Sequence, residues 1–274
     1  MNRGSLLLLL ALIVSYSASG AKTQKIRIAT YDILPPYAFR QDDKLTGVYI
    51  EIVKEAITKM PGYEVEFEVY PWARAKQMVM KGEIFGILPP YFHAHDWLTQ
   101  KSPKKAYIWP YSLQLLLQTD IVYCQKDVLK APRNRFPEDY KGLSFAKFRG
   151  DGRAGPKFAK MVENNEIKLT EVDNVRSSIF IFLSKRVDCV VSSRLPFKWW
   201  KNKLIAAGEL KSSNLDAITE AKIISKNAGY LGYTDINTEQ YPYKDDFVQK
   251  FDIQIYHMKK SGRIDELISS FTDI

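Results

Sequence analysis

The sequence predicts an α/β protein with helices flanking mostly parallel sheets, and three observations carry that prediction. From residue 26 to residue 88, apolar runs of strand character alternate with amphipathic helical runs, in the order strand, helix, strand, helix, strand. That order requires right-handed crossovers and a parallel sheet. The pentapeptide Ile-Leu-Pro-Pro-Tyr occurs twice, at 33–37 and at 87–91, each time behind an apolar run. A strand, loop and helix order resumes at Leu143, beyond a long apolar segment at 113–124, so a second unit follows the first.

At the amino end, Asn2 and Arg3 precede the apolar run Leu6 to Val14, and small residues follow up to Ala21. This is the pattern of a secretory signal peptide, residues 1–21, with cleavage after Ala21. The run is too short for a spanning helix, which needs roughly 18 or more apolar residues, and no later run is longer. A mature chain that does not span a membrane is therefore expected. The formal net charge of +9 is spread along the chain in short groups such as Lys104 and Lys105. Dispersed charge and export argue against a nucleic-acid partner and leave a moderate pull on anionic solutes. Cys124 and Cys189 are the only cysteines. Export permits a disulfide, yet both lie in apolar strand-like runs, where buried free thiols are the favoured expectation.

Taken in order, Ile26, Ile28 and Thr30 alternate with Arg27 and Ala29, the period of a half-buried strand. Ile84 to Leu88 is a continuous apolar run that suits a buried parallel strand. Each meets a proline pair, which has no N–H for a ladder and stiffens the loop that follows. In open parallel sheets ligands bind beyond the carboxyl ends of strands, which is where Tyr37 and Tyr91 are expected. Between the two copies, Asp42-Asp43-Lys44 reads as a polar turn. Val48 to Met60 is an amphipathic helix with Ile50, Val53, Ala56 and Ile57 on one face, stopped by Pro61-Gly62. Tyr63, Val65, Phe67 and Val69 alternate with Glu64, Glu66, Glu68 and Tyr70 as a strand. Pro71 to Lys81 is a helix with proline in its first turn and Gly82 as its stop.

Several stretches together carry a family resemblance. They are Gly47-Val48-Tyr49-Ile50-Glu51-Ile52, Trp72 with a short helix into Lys81-Gly82-Glu83, Tyr140-Lys141-Gly142-Leu143-Ser144-Phe145 before a glycine-rich loop, Lys185 to Val191, and Lys260-Ser261-Gly262-Arg263-Ile264. In this succession the chain resembles the family 3 periplasmic solute-binding proteins over essentially its whole mature length. The resemblance implies a two-lobed periplasmic binding fold of type II with a cleft between lobes, and a monomer. It divides the chain into a first lobe at 22–116, a second at 117–228 and a return to the first at 229–274, with the first hinge near Leu117 to Asp120. In the second unit Leu143 to Lys147 reads as a strand, 148–156 as a loop and Lys157 to Asn164 as a helix. The helix Asn174 to Leu183, the strand Val187 to Ser192, a helix from Leu195 to Gly208, return strands at Ala221 to Ser225 and Tyr230 to Thr234, and two last helices follow.

A binding cleft needs apolar walls and a few aimed polar groups. Tyr31, Tyr37, Trp72, Pro90, Tyr91 and Trp97 are the candidates from the first lobe, and Arg149, Gly150, Asp151, Ser192 and Ser193 from the second. Free N–H groups in the loop Arg149 to Gly155, at a helix start, suit an anionic group, and Arg149 is ranked ahead of Arg153 as its guanidinium partner. Amino-acid receptors of the resembled family carry an arginine shortly after the first-lobe strand, and an acid after the strand that reads Val187-Asp188-Cys189 here. This chain has Phe92-His93-Ala94-His95-Asp96-Trp97 and Ser192-Ser193 at those places. Both halves of the amino-acid clamp are missing. His93 and His95 lack a third placed ligand, so neither a metal nor any cofactor is expected.

The resulting expectation is a periplasmic binding protein, not an enzyme. It takes a small polar or anionic solute, amino-acid-like or an organic acid, and serves an ABC importer or a sensor. The alternatives are a periplasmic enzyme on the same fold, similar to cyclohexadienyl dehydratases and drawing on Glu83, His93, His95 or Asp151, or an orphan binding protein with an altered cleft.

Overall fold

The computed structural model describes residues 23–91, 97–99, 103–149 and 152–273. The expected signal peptide, His93, His95, Asp96, Gly150 and Asp151 lie outside the described residues. From the amino end the chain runs through β1 (Gln24–Thr30), β2 (Ile33–Leu34), β3 (Ala38–Gln41), β4 (Lys44–Thr46), α1 (Val48–Thr58), β5 (Tyr63–Val69), α2 (Trp72–Met80), β6 (Gly86–Ile87) and β7 (Ile108–Tyr111). It continues through β8 (Leu116–Gln125), β9 (Ser144–Phe148), α3 (Gly155–Glu163), β10 (Lys168–Val172), α4 (Val175–Leu183), β11 (Cys189–Ser193), α5 (Arg194–Ala206) and β12 (Ile218–Gly229). β13 (Gly232–Thr234), α6 (Lys244–Lys260) and α7 (Arg263–Thr272) complete it.

Two five-stranded sheets form the two lobes, in the orders β5-β1-β6-β13-β7 and β10-β9-β11-β8-β12. In the first, β5, β1 and β6 are parallel, and β13 is antiparallel to both β6 and β7, so only β13 runs against the rest. In the second, β10, β9 and β11 are parallel, and β8 is antiparallel to both β11 and β12. The first sheet's described strands end at Tyr111 and resume at Gly232, so all of the second sheet lies within that gap. Two short crossings join the sheets and hold each other: Ser112 N–H donates to the Leu231 carbonyl and Leu115 N–H to the Gly229 carbonyl, both at 2.9 Å. Leu117 to Asp120, read from the sequence as the first hinge, is inside the β8–β12 ladder instead. The crossing comes earlier, at 112–115, because the apolar run of β8 pairs as soon as it starts.

Burial explains the strand patterns. β8 is covered on both faces: Ile121 and Tyr123 pack among α4 and α5 residues such as Ile179, Phe182 and Phe197, while Val122 and Cys124 pack with Phe145, Phe158 and Ile167 on the other. A strand buried on both faces has no alternation to read, which is why it appears as one apolar run. Cys124 and Cys189 form a disulfide with Cα atoms 4.1 Å apart, which replaces the free thiols expected from the sequence. The register places them directly opposite each other on β8 and β11. The first lobe's main core packs α1, α6 and α7 together through residues that include Val53, Ile57, Phe247, Phe251 and Leu267.

A third, three-stranded sheet, β2-β3-β4, sits beside the first lobe. It carries the chain to α5 of the second lobe, because Phe39 on β3 packs edge-on to Trp199 with ring centroids 5.4 Å apart, and Phe271 of α7 packs on Phe39 at 6.1 Å. Asn202 of α5 donates to the Thr272 carbonyl at 2.6 Å. The end of the chain therefore touches both lobes.

Candidate functional site

Between the two sheets lies a cleft of about 900 Å³. Its first wall holds Tyr31, Pro35, Trp72, Lys76, Pro89, Tyr91 and Trp97, and its second holds Phe148, Gly152, Arg153, Asn174, Arg176 and Trp200, with Gln118 on β8 also lining it. The strand ends and helix starts bring these residues together, as expected of α/β sheets.

The aromatic part is built edge to face. Trp72, at the start of α2, lies 5.6 Å from Tyr31 at 81° and 6.2 Å from Trp97 at 89°. The Trp97 indole N–H donates to the Tyr91 carbonyl at 2.8 Å, which fixes that ring behind Trp72. Burial holds the Tyr31 phenol well above its ordinary pKa, and Tyr91 is pushed up to about 12 for the same reason. Both remain neutral hydroxyls at physiological pH.

The polar part centres on Asp120, which is 1% exposed. Its Oδ1 accepts from Arg153 Nη1 at 3.1 Å, Ser193 Oγ at 2.5 Å and Gln118 Nε2 at 3.1 Å. Its Oδ2 accepts from Ser225 Oγ at 2.5 Å and Asn227 Nδ2 at 3.3 Å. Arg153 also donates to Ser193. Tyr91 donates to Gln118 Oε1 at 2.6 Å, so a hydrogen-bonded path runs from the first wall to the buried carboxylate. Five donors on one carboxylate make Asp120 a fully satisfied buried anion, which is the condition for tolerating a charge away from water.

Of the residues expected at the site, Tyr31, Trp72, Tyr91 and Trp97 line the cleft. Tyr37 does not: it is buried in the first lobe's core with its ring 5.6 Å from that of Tyr49. Pro90 is buried beside Gly232, where a Cβ would come within 2.7 Å of its ring, and the cleft takes Pro89 instead. Arg149 is off the wall, its side chain 66% exposed and 3.5 Å from Asp173. Arg153, ranked second from the sequence, lines the cleft in its place. Ser193 is spent on Asp120 and Arg153, and Ser192 reaches only a small adjoining pocket. Glu83 lies off the cleft wall and pairs with Lys81 at 3.7 Å.

Sequence reasoning missed Asp120, Gln118, Lys76, Phe148, Arg176 and Trp200 as site residues. The register explains Asp120, since Ser193 on β11 faces it directly on β8. A buried acid thus stands on the strand next to β11, with both its oxygens taken by protein donors. Lys76 had a usable signal: it follows Trp72 by four residues, which puts both on one helix face.

The sequence model of the bacterial extracellular solute-binding proteins, family 3, matches residues 26–273, and the chain belongs to that family. No curated protein matches the chain at a significant level. Among solved structures it is similar to an ancestral cationic amino acid solute-binding protein, at 15% identity and a TM-score of 0.62, over 90% of this chain and 95% of that one. It is similar to a histidine kinase sensor domain that itself resembles periplasmic binding proteins, at 15% identity and a TM-score of 0.60, over 91% and 96%. It is also similar to a structure described for glutathione import via GshT and the cystine ABC importer TcyBC of Streptococcus mutans, at 14% identity and a TM-score of 0.60, over 91% and 95%. At these identities the likeness establishes the two-lobed fold. Among the described residues no helix is long and apolar enough to cross a membrane.

Proposed function

We propose that this chain is an exported, monomeric receptor that binds a small polar or anionic solute between its lobes, closes on it and delivers it to an ABC importer or a sensor. The observation that carries this reading is the cleft itself, walled from both sheets by aromatic rings and cationic side chains. Contacts that a solute makes to both walls exist only when the walls approach, so binding shifts the population toward the closed form. The two short crossings at 112–115 and 230–231 lie between the ladders and are the segments that flex without disturbing either one. Similarity to a sensor domain and to a structure tied to ABC import supports both destinations.

A thermal-shift screen of amino acids, organic acids, polyamines and divalent metals tests the reading, because a ligand that binds only the native state raises its melting temperature. At least one small solute is expected to give a saturable shift without being converted. No shift from any class, or turnover of the solute, would contradict it. Mass spectrometry of cell-derived protein should find the mature chain beginning at or near Lys22.

A further inference from the structure

The cleft walls narrow the solute further, on the basis that this cleft is the solute site. We propose that the solute is an aromatic carboxylate without an α-ammonium, its ring seated against Trp72 and its carboxylate beside Lys76.

Three features point to that class. The first is the corner formed by Tyr31, Trp72 and Trp97, whose rings meet nearly at right angles. Aromatic rings favour such edge-to-face contacts, and a flat ring entering the cleft extends the arrangement. Phe148 and Trp200 offer further apolar ring surface from the opposite wall.

Charge is the second feature. Among the described residues, Lys76, Arg153 and Arg176 line the cleft against one carboxylate, Asp173, which itself faces Arg149. Arg176 is held by Glu209 and Arg153 by Asp120. Lys76 makes no ion pair among the described residues. It is half-buried on α2, one helical turn beyond Trp72. A turn spans about 5.4 Å along the axis, the order of separation between the ring and the carboxylate of an arylacetate.

The third feature is that the described residues offer no seat for an ammonium. Asp120 would be the acid to hold one, yet it is buried and both its oxygens are filled by protein donors. An α-ammonium entering there has to break the Asp120–Arg153 pair or stay desolvated without a partner, and either outcome disfavours a zwitterion.

Titrations monitored by tryptophan fluorescence test this, using phenylacetate, its neutral amide phenylacetamide, phenylalanine and succinate. Phenylacetate should bind about tenfold or more tightly than each of the others, the scale of one hydrogen bond to a charged group. Lys76→Met should abolish the preference for carboxylate over amide while amide binding stays within about twofold. Trp72→Leu should weaken both aryl ligands, and Trp72→Phe should restore part of the loss; circular dichroism checks that each variant is folded. Tighter binding of phenylalanine or succinate, or an undiminished carboxylate preference in Lys76→Met, would overturn the proposal and leave the receptor reading standing. Failure of these four ligands together with every member of the thermal-shift screen would remove both.

Discussion

Two identical pentapeptides in this chain have opposite fates. In the copy at 33–37, Ile33 and Leu34 form β2 of the small antiparallel sheet, and Ile33 is 82% exposed. The Pro36 and Tyr37 carbonyls then accept the Val48 and Tyr49 N–H groups, which satisfies the first donors of α1 and draws Tyr37 into the core. Gly47 permits this closeness: its φ is 127°, and a Cβ there would lie 2.5 Å from the Tyr37 carbonyl oxygen. In the copy at 87–91, Ile87 is buried in β6 between β1 and β13, and Leu88 N–H donates to the Ala29 carbonyl. Tyr91 bridges to Gly229 at the second crossing and turns its hydroxyl to Gln118. The first proline of each copy, Pro35 or Pro89, lines the cleft. Five residues thus set where a strand stops, while the segment that meets them decides whether the tyrosine becomes scaffold or wall.

The comparison can be broken most severely at Tyr37. Tyr37→Ala is expected to cost about 3 to 5 kcal/mol of stability, as for other large aromatic truncations in cores, read from the urea midpoint. A midpoint within the error of the parent chain would show that Tyr37 is not scaffold. At Gly47, substitution by alanine forces a positive φ on a Cβ residue and a clash with Tyr37; a loss of about 1 to 3 kcal/mol is expected in the same assay.

A finer test uses alkali. Tyr37 and Tyr49 are held well above the ordinary phenol range by burial, and Tyr91 is pushed to about 12. Their folded pKa values are raised, so the stabilisation is complete below about pH 10 and is lost as pH rises toward 12, because the unfolded chain releases the protons first. Each such phenol contributes a slope of about −1.4 kcal/mol per pH unit in that window. Tyr91→Phe should flatten the slope by one phenol's worth.

The smallest effect separates the two hydroxyls. Tyr91→Phe loses the hydrogen bond to Gln118 and should cost about 0.5 to 1.5 kcal/mol, whereas Tyr37→Phe removes a buried hydroxyl without a hydrogen-bond partner among the described residues and should be neutral or stabilising. Equal losses in the two variants would erase the distinction.

What the sequence made legible follows the same division between local pattern and tertiary partner. β5 was readable at both ends because four apolar residues alternate with acids between Gly62 and Pro71, and α2 because proline and glycine bracket it. The sheet β2-β3-β4 was not readable, since strands of two to four residues carry no periodicity, and the Asp42-Asp43 turn reads equally well without strands around it. The aromatic wall was legible from residue type and position. The polar centre was not, because Asp120 and Ser193 are 73 residues apart and only the β8–β11 register brings them together. Choosing between Arg149 and Arg153 needed their tertiary partners, Asp173 and Asp120, which no spacing rule supplies.

The central claim is that the second pentapeptide's tyrosine and its neighbours form one working wall of a cleft that closes against the other lobe. Hydrogen exchange, measured with and without a saturating solute from the thermal-shift screen, tests it most directly. Slower exchange is expected in Thr30–Leu34 of the first wall and in Val172–Arg176 of the second together, with Tyr49–Val53 in α1 unchanged. Protection confined to one wall, or spread evenly through α1, would contradict a two-walled cleft.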